Sequence, residues 1–208
     1  MMSIQAIDLK RTALLLIGYQ RDYFDPDGIL NGVIDESSRV NGTLQNTKTL
    51  IDELKGTDIT MVSTPIVFTE TYEELDKPIG ILKTIKEVEA FKTGTSGAET
   101  IDMVAAFGDR VMEIPGKKGF DAFSSTDLLD VLAQRSIEHV VIAGAVTSVC
   151  VNATAMRAFD EGYTVTIISD CTSGRTTIEQ TMFCEEIFPL FAHVMTHQEL
   201  LGRMGAIA

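Results

Sequence analysis

Apolar residues along this chain fall into short, almost unbroken runs separated by longer amphipathic stretches. The runs at 12–17 (TALLLI), 59–63, 111–114, 139–143, 164–169 and 193–195 are rich in aliphatic and β-branched side chains and too short for helices, so they read as strands. Their apolar residues do not alternate with polar ones, which predicts strands covered on both faces, as in a parallel sheet. Helical periodicity marks 37–54, 98–107, 126–135, 147–161 and 176–187, with Ser, Thr or Asn near several starts and Gly56, Gly108 and Gly162 past ends. Strand and helix alternating in this way predict an α/β fold, a doubly wound parallel sheet with right-handed crossovers and helices on both faces. Ligands of such sheets sit beyond the carboxyl ends of the strands, so the segments that follow each strand are where chemistry is sought. The stretch 69–97 is long, charged and without a clear period, and is expected to carry a lid or a subunit contact.

Composition narrows the partners. A chain of 208 residues, 45% hydrophobic, suits one domain spanning 1–208 with a sizeable core. Lys and Arg number 17 against 30 Asp and Glu, a net charge of -13, and the basic residues are scattered. Nucleic acid and anionic membranes both require a dense cationic surface, so neither is expected as a partner. The N-terminus lacks the basic start and long apolar centre of a secretion signal, and no stretch is long enough to span a bilayer, so the expected location is cytoplasmic. Cys150, Cys171 and Cys184 are an odd number without metal-type spacing and are expected to be free thiols. GKKGFDAFSST is not a phosphate loop and GYQRDYF is not a dinucleotide fingerprint, so no cofactor is expected.

The most informative segment is GAVTSVCVNATAMRAFDEGYTVTIISDC, 144–171. A strand ends at Gly144, a turn follows and a helix begins near Thr147, which puts Cys150 in its first turn. Unpaired N–H groups and the positive end of the helix dipole there favour thiolate over thiol, and could hold an oxyanion. A buried structural cysteine is the competing reading of that position alone.

This segment resembles the nucleophile motif of the isochorismatase-like cysteine hydrolases, a superfamily that includes nicotinamidases and related amidohydrolases. The matching residues are Gly144, Thr147, Cys150, Val151, Thr154, Ala158, Gly162, Tyr163, Val165 and Asp170. The resemblance implies that Cys150 is the nucleophile, that the Ala145–Val146 peptide bond is cis, and that the backbone N–H groups of Val146 and Cys150 form the oxyanion hole. A second match, IPGKKGFDAFSSTDLLDVL at 114–132, implies that Lys117, rather than its neighbour Lys118, is the functional lysine. An ammonium beside the thiol favours the thiolate and offsets negative charge as it develops. The bland reading is a solvated lysine pair.

The third match, TALLLIGYQRDYF at 12–24, is similar to a family strand that ends in Ile-Asp, an apolar residue, Gln, any residue, Asp and Phe. Gln20 and Asp22 fit, with Tyr23 and Phe24 as the aromatics, but Gly18 stands where the family has its catalytic aspartate. That leaves three readings open: a substitution that traps substrate, a different base, or a protein that binds without catalysing. Asp22 is the nearest acidic candidate for a replacement base, although its match is to a structural aspartate.

The resemblance runs from about 13 to 201 and implies a three-layer fold with six parallel strands in order 3-2-1-4-5-6, and a homodimer or homotetramer. The expected activity is hydrolysis of a small-molecule substrate, with a C–N bond of an amide or lactam cleaved through a covalent Cys150 intermediate. Vinyl-ether hydrolysis of the isochorismatase type and small-molecule binding without catalysis are the alternatives. No metal is expected, because TMVSTPIVFTETYEEL after the second strand has no histidine, and His139, His193 and His197 suit capping, surface or packing roles. Tyr23, Phe24, Phe68, Tyr72 and Phe123 follow strands and are the candidate substrate contacts.

Overall fold

The computed structural model describes residues 7–205; the reading of the extreme N-terminus as free of a secretion signal therefore rests partly on residues outside the described ones. Strands β1 (Thr12–Ile17), β2 (Thr60–Thr64), β3 (Met112–Glu113), β4 (His139–Ala145), β5 (Thr164–Ser173) and β6 (His193–Met195) form one parallel sheet in the order β3-β2-β1-β4-β5-β6. All six residues of β1 are fully buried, which is why the run from Ala13 to Ile17 is continuously apolar. Odd and even positions feed two separate cores. Leu14 and Leu16 face one layer with Leu50, Ile51, Leu54 and Leu200, while Ala13, Leu15 and Ile17 face the other with Leu128, Leu132, Val151 and Ala155.

In chain order the helices are α1 (Arg21–Phe24), α2 (Asn31–Asn41), α3 (Thr43–Leu54), α4 (Gly80–Glu87), α5 (Asp102–Ala105), α6 (Leu128–Gln134), α7 (Asn152–Asp160), α8 (Thr177–Met182) and α9 (His197–Met204). Several differ from the periodicity. The helix expected at 37–54 is two helices, because Gly42 adopts a left-handed backbone (φ 65°) that ends α2 and starts α3. The span 98–107 shortens to the single turn of α5, and 147–161 begins as a π-helical turn, Thr147–Val151, before α7. Strand β5 runs to Ser173, beyond the expected 169, because a bulge lets Gly144 pair with Thr172 after Ile142 has paired with Ile167. The irregular stretch 69–97 contains α4, which the sequence reading did not identify.

The order of strands reverses between β1, the first to be wound, and β4. Ligands bind at such switch points, beyond the carboxyl ends of the strands. Gly18 follows β1 and Cys150 follows β4, so both occupy that crevice.

Candidate active site around Cys150

Beyond β4 the chain turns through a cis peptide bond between Ala145 and Val146 and enters the π turn. The N–H groups of Val149 and Val151 both donate to the Val146 carbonyl, at 3.0 and 3.2 Å, stepping over Cys150 between them. Side chains from α8 pin this turn. Thr147 Oγ1 donates to Gln180 Oε1 at 2.6 Å and Ser148 Oγ donates to Glu179 Oε1 at 2.6 Å. The Gln180 amide in turn donates to the Ser169 carbonyl and to Thr172 Oγ1 on β5, both at 2.9 Å. Two adjacent residues of one short helix thus tie the cysteine turn to the bulged end of β5, holding the sulfur where rotamer freedom would otherwise blur it.

Lys117 reaches the same place from the other side. It follows β3 and bridges in parallel with Ile66, which follows β2. Its side chain is 1% exposed, and Nζ donates to the Gly119 carbonyl at 2.6 Å and lies 3.6 Å from Cys150 Sγ. A buried amine is costly unless paired, and the sulfur is the partner that can carry an opposite charge. Lys118 points elsewhere, to Glu74 at 2.9 Å and to the Val67 carbonyl. The Ala122 N–H, donating to Thr154 Oγ1 at 3.1 Å, fastens the lysine loop to α7.

Gly18 has φ +67°, and a Cβ there would lie 2.9 Å from the Ala145 carbonyl oxygen and 3.7 Å from Tyr23 Cδ2. The backbone has therefore settled into a glycine conformation packed against the turn that leads to Cys150. Asp22 does not stand in as a base: Oδ2 accepts the Phe91 N–H at 2.6 Å, and a Cβ on Gly97 would come within 2.0 Å of Oδ1, so its carboxylate is walled in. Gln20 is equally structural, with Nε2 donating to the Ile66 and Ala98 carbonyls at 2.9 and 2.8 Å and Oε1 accepting the Ile66 N–H at 2.9 Å.

Cys150 opens onto a cavity of about 10 Å³, room for about one water, lined by Tyr23, Ile66, Ile81, Leu82, Ile85, Phe120 and Val149. Among the aromatics singled out from the sequence, Tyr23 alone belongs to this lining. Phe24 stacks on Tyr19 at 5.1 Å, Phe68 is fully buried against Tyr72, and Phe123 packs in the core beside Tyr163. The wall that sequence reasoning missed comes from α4, whose Ile81, Leu82 and Ile85 share one helical face.

The segment after β2, from Thr64 to Phe68, carries no imidazole or carboxylate, so its donors do not fit a metal of the nicotinamidase type. Among the described residues, one group of metal-competent side chains clusters, Asp170, Cys171 and His197, with ligand atoms within 4.8 Å of one another. It is accounted for as a helix cap: the Asp170 carboxylate faces the His197 backbone N–H at 2.8 Å and Nδ1 at 2.7 Å at the start of α9.

The isochorismatase domain model matches residues 12–199. The chain belongs to the isochorismatase family of hydrolases. It is 29% identical to the uncharacterized isochorismatase family protein YwoC of Bacillus subtilis, over 98% of this chain and 100% of that one. It is 26% identical to the ureidoacrylate amidohydrolase RutB of Caulobacter vibrioides, over 97% of this chain and 95% of that one. A cysteine hydrolase from Pseudomonas syringae pv. phaseolicola superposes with a TM-score of 0.85 at 18% identity, covering 100% of both chains, and shares the isochorismatase fold. The strand order expected from the family resemblance is the one observed. Among the described residues, no helix is long and apolar enough to cross a membrane.

Proposed function

We propose that this isochorismatase-family protein hydrolyses a C–N bond of a small amide or lactam through a covalent intermediate on Cys150, with Lys117 as its proton partner. The observation that carries the reading is the 3.6 Å approach of Lys117 Nζ to Cys150 Sγ in a buried, otherwise apolar setting. An amidohydrolase among the relatives that align over nearly the whole chain supports the choice of bond.

The reactive form is the thiolate with the ammonium beside it. Sγ attacks the carbonyl carbon, and the charge that collects on oxygen is held by the N–H groups of Val146 and Cys150. The C–N bond breaks while the Lys117 ammonium gives its proton to the departing nitrogen. Lys117, now a neutral amine, takes a proton from the water that adds to the thioester carbon. The C–S bond then breaks, the acid leaves, and thiolate and ammonium are restored. Each proton is accounted for by two residues, so a carboxylate at position 18 is not required.

Binding without turnover is the second reading, and the glycine at position 18 favours it. Incubation with p-nitrophenyl butyrate separates the two. Hydrolysis predicts p-nitrophenol release and a butyryl adduct on Cys150 by intact mass, with Cys150→Ala losing the adduct and at least about 10³-fold of the rate. Equal rates in wild type and Cys150→Ala would remove this sulfur from the chemistry.

A further inference from the structure

Gly18 and Tyr23 depart together from the pattern of the first strand. Where that pattern has a carboxylate, this chain has Gly18; where it has a phenylalanine, this chain has Tyr23, with one added hydroxyl. The two positions touch, since a Cβ on Gly18 would meet the Tyr23 ring at 3.7 Å. Tyr23 is 3% exposed, its ring held against Phe91 with centroids 4.9 Å apart. Its hydroxyl makes no hydrogen bond within the described residues, although Tyr19, four residues earlier, donates to the Cys171 carbonyl at 2.9 Å and pairs with Thr47 at 2.6 Å. A phenol that lines a cavity without a partner in the protein is free to meet a ligand there.

The rest of the lining gives that hydroxyl its significance. Ile66, Ile81, Leu82, Ile85, Phe120 and Val149 are apolar, which leaves Tyr23 and Cys150 as the only polar side chains of the cavity. The N–H donors of Val146 and Cys150 stand at the exit of β4, whereas Tyr23 stands at the exit of β1. A carbonyl carbon attacked by Sγ places its oxygen toward the first pair, and its second heteroatom then falls to the phenol. Burial, with the charges of Cys150 and Asp22 behind it, pushes the Tyr23 phenol far up from its ordinary value, so it stays protonated and acts as a donor.

We infer that Tyr23 is a catalytic residue on the leaving-group side of the site, donating a hydrogen bond to the nitrogen of an uncharged amide with an apolar acyl group. The inference rests on the Cys150–Lys117 reading. No proton changes owner at Tyr23: its hydrogen bond holds the nitrogen lone pair as that pair leaves conjugation during attack by Sγ, then gives the pair up to the proton from Lys117, and the C–N bond breaks. Six apolar walls around one phenol leave nothing to pair with a charged acyl group.

The test compares butyranilide, whose leaving group is a poor one, with p-nitrophenyl butyrate, whose leaving group needs no help, in wild type and Tyr23→Phe. The substitution removes one oxygen and keeps the ring on Phe91. Expected is a fall of about 10²–10³-fold in kcat on the anilide, roughly what loss of one donor to a developing charge costs, with KM and the ester rate within about twofold. N-phenylsuccinamate, the same anilide with a charged acyl end, is expected to turn over at least about tenfold more slowly than butyranilide in wild type. An unchanged anilide-to-ester ratio in Tyr23→Phe overturns the assignment, as does a wild type that acylates on Cys150 from the ester and leaves the anilide intact; the Cys150 reading survives both. Equal turnover of the two anilides overturns the uncharged substrate class. If the ester fails to acylate Cys150 in wild type, the Cys150 reading falls and this one falls with it.

Discussion

Cys150 and Cys171 are buried thiols near the carboxyl ends of neighbouring strands, β4 and β5, and what separates them is the charge at their side. Cys150 has the Lys117 ammonium at 3.6 Å and a small cavity in front of it. Cys171 is fully buried with the Asp170 carboxylate at 3.9 Å, and burial together with that charge pushes its thiol far above the usual range. Cys184 makes a third case, with no ammonium beside it: burial, and a smaller push from Glu185, raise it to about 11 against a pull from Thr172. Burial by itself makes a thiol inert, because it disfavours the charged form. A cation supplied from a separate loop stands beside one of the three.

Removing that cation is the strongest way to break the contrast. Lys117→Met keeps the bulk of the side chain and deletes the charge, and is expected to slow alkylation of Cys150 by iodoacetamide, and any hydrolysis, by about 10²–10⁴-fold. Peptide mapping of the alkylated protein reads the three cysteines separately; an unaltered Cys150 rate would show that the ammonium is irrelevant.

A pH series sharpens the same contrast. A thiol raised to about 11 carries about one thiolate per thousand at pH 8, and each unit of pH gained below 11 multiplies it about tenfold. Cys184 labelling should therefore climb steeply above neutrality, whereas at about pH 7 the cysteine beside the Lys117 ammonium, Cys150, should label first. Equal labelling of Cys150 and Cys184 at neutral pH would contradict the ion-pair reading.

The mildest intervention imitates the Cys171 setting at Cys150. Gly18→Asp adds a carboxylate on the cysteine side of β1, but it needs a left-handed non-glycine residue and a Cβ 2.9 Å from the Ala145 carbonyl oxygen. The expected cost is about 1–2 kcal/mol of stability, seen as a lowered Tm, with Cys150 alkylation slowed rather than quickened. A gain in turnover would instead identify Gly18 as the single lesion of a three-member site.

The alternation of strands and helices was legible in the periodicity, whereas the strand order and the pairing of Cys150 with Lys117 came from the family resemblance, whose motifs each occupy a contiguous run at a strand end. The lining was not. Ile81, Leu82 and Ile85 lie on an eight-residue helix, two turns only, whose apolar residues are separated along the chain by Lys83 and Thr84, within a stretch that reads as charged and irregular. Sequence also cannot tell Tyr23 from Phe24. Both follow β1, but successive residues of α1 point about 100° apart, so one faces the thiol and the other stacks on Tyr19. Phe68 and Phe123 fail for a similar reason: strand ends locate a loop, while packing decides which side chains turn inward. The break at Gly42 is a backbone conformation, φ 65°, which the pattern of apolar residues does not report.

The narrow cavity has a kinetic consequence. With about 10 Å³ in front of Cys150, a reagent bulkier than water reaches the sulfur as the lining side chains, those of α4 and Phe120 among them, swing aside. Reagents of graded size then act as a clock for that lining: small ones report how nucleophilic the sulfur is, and large ones report how often the door stands ajar.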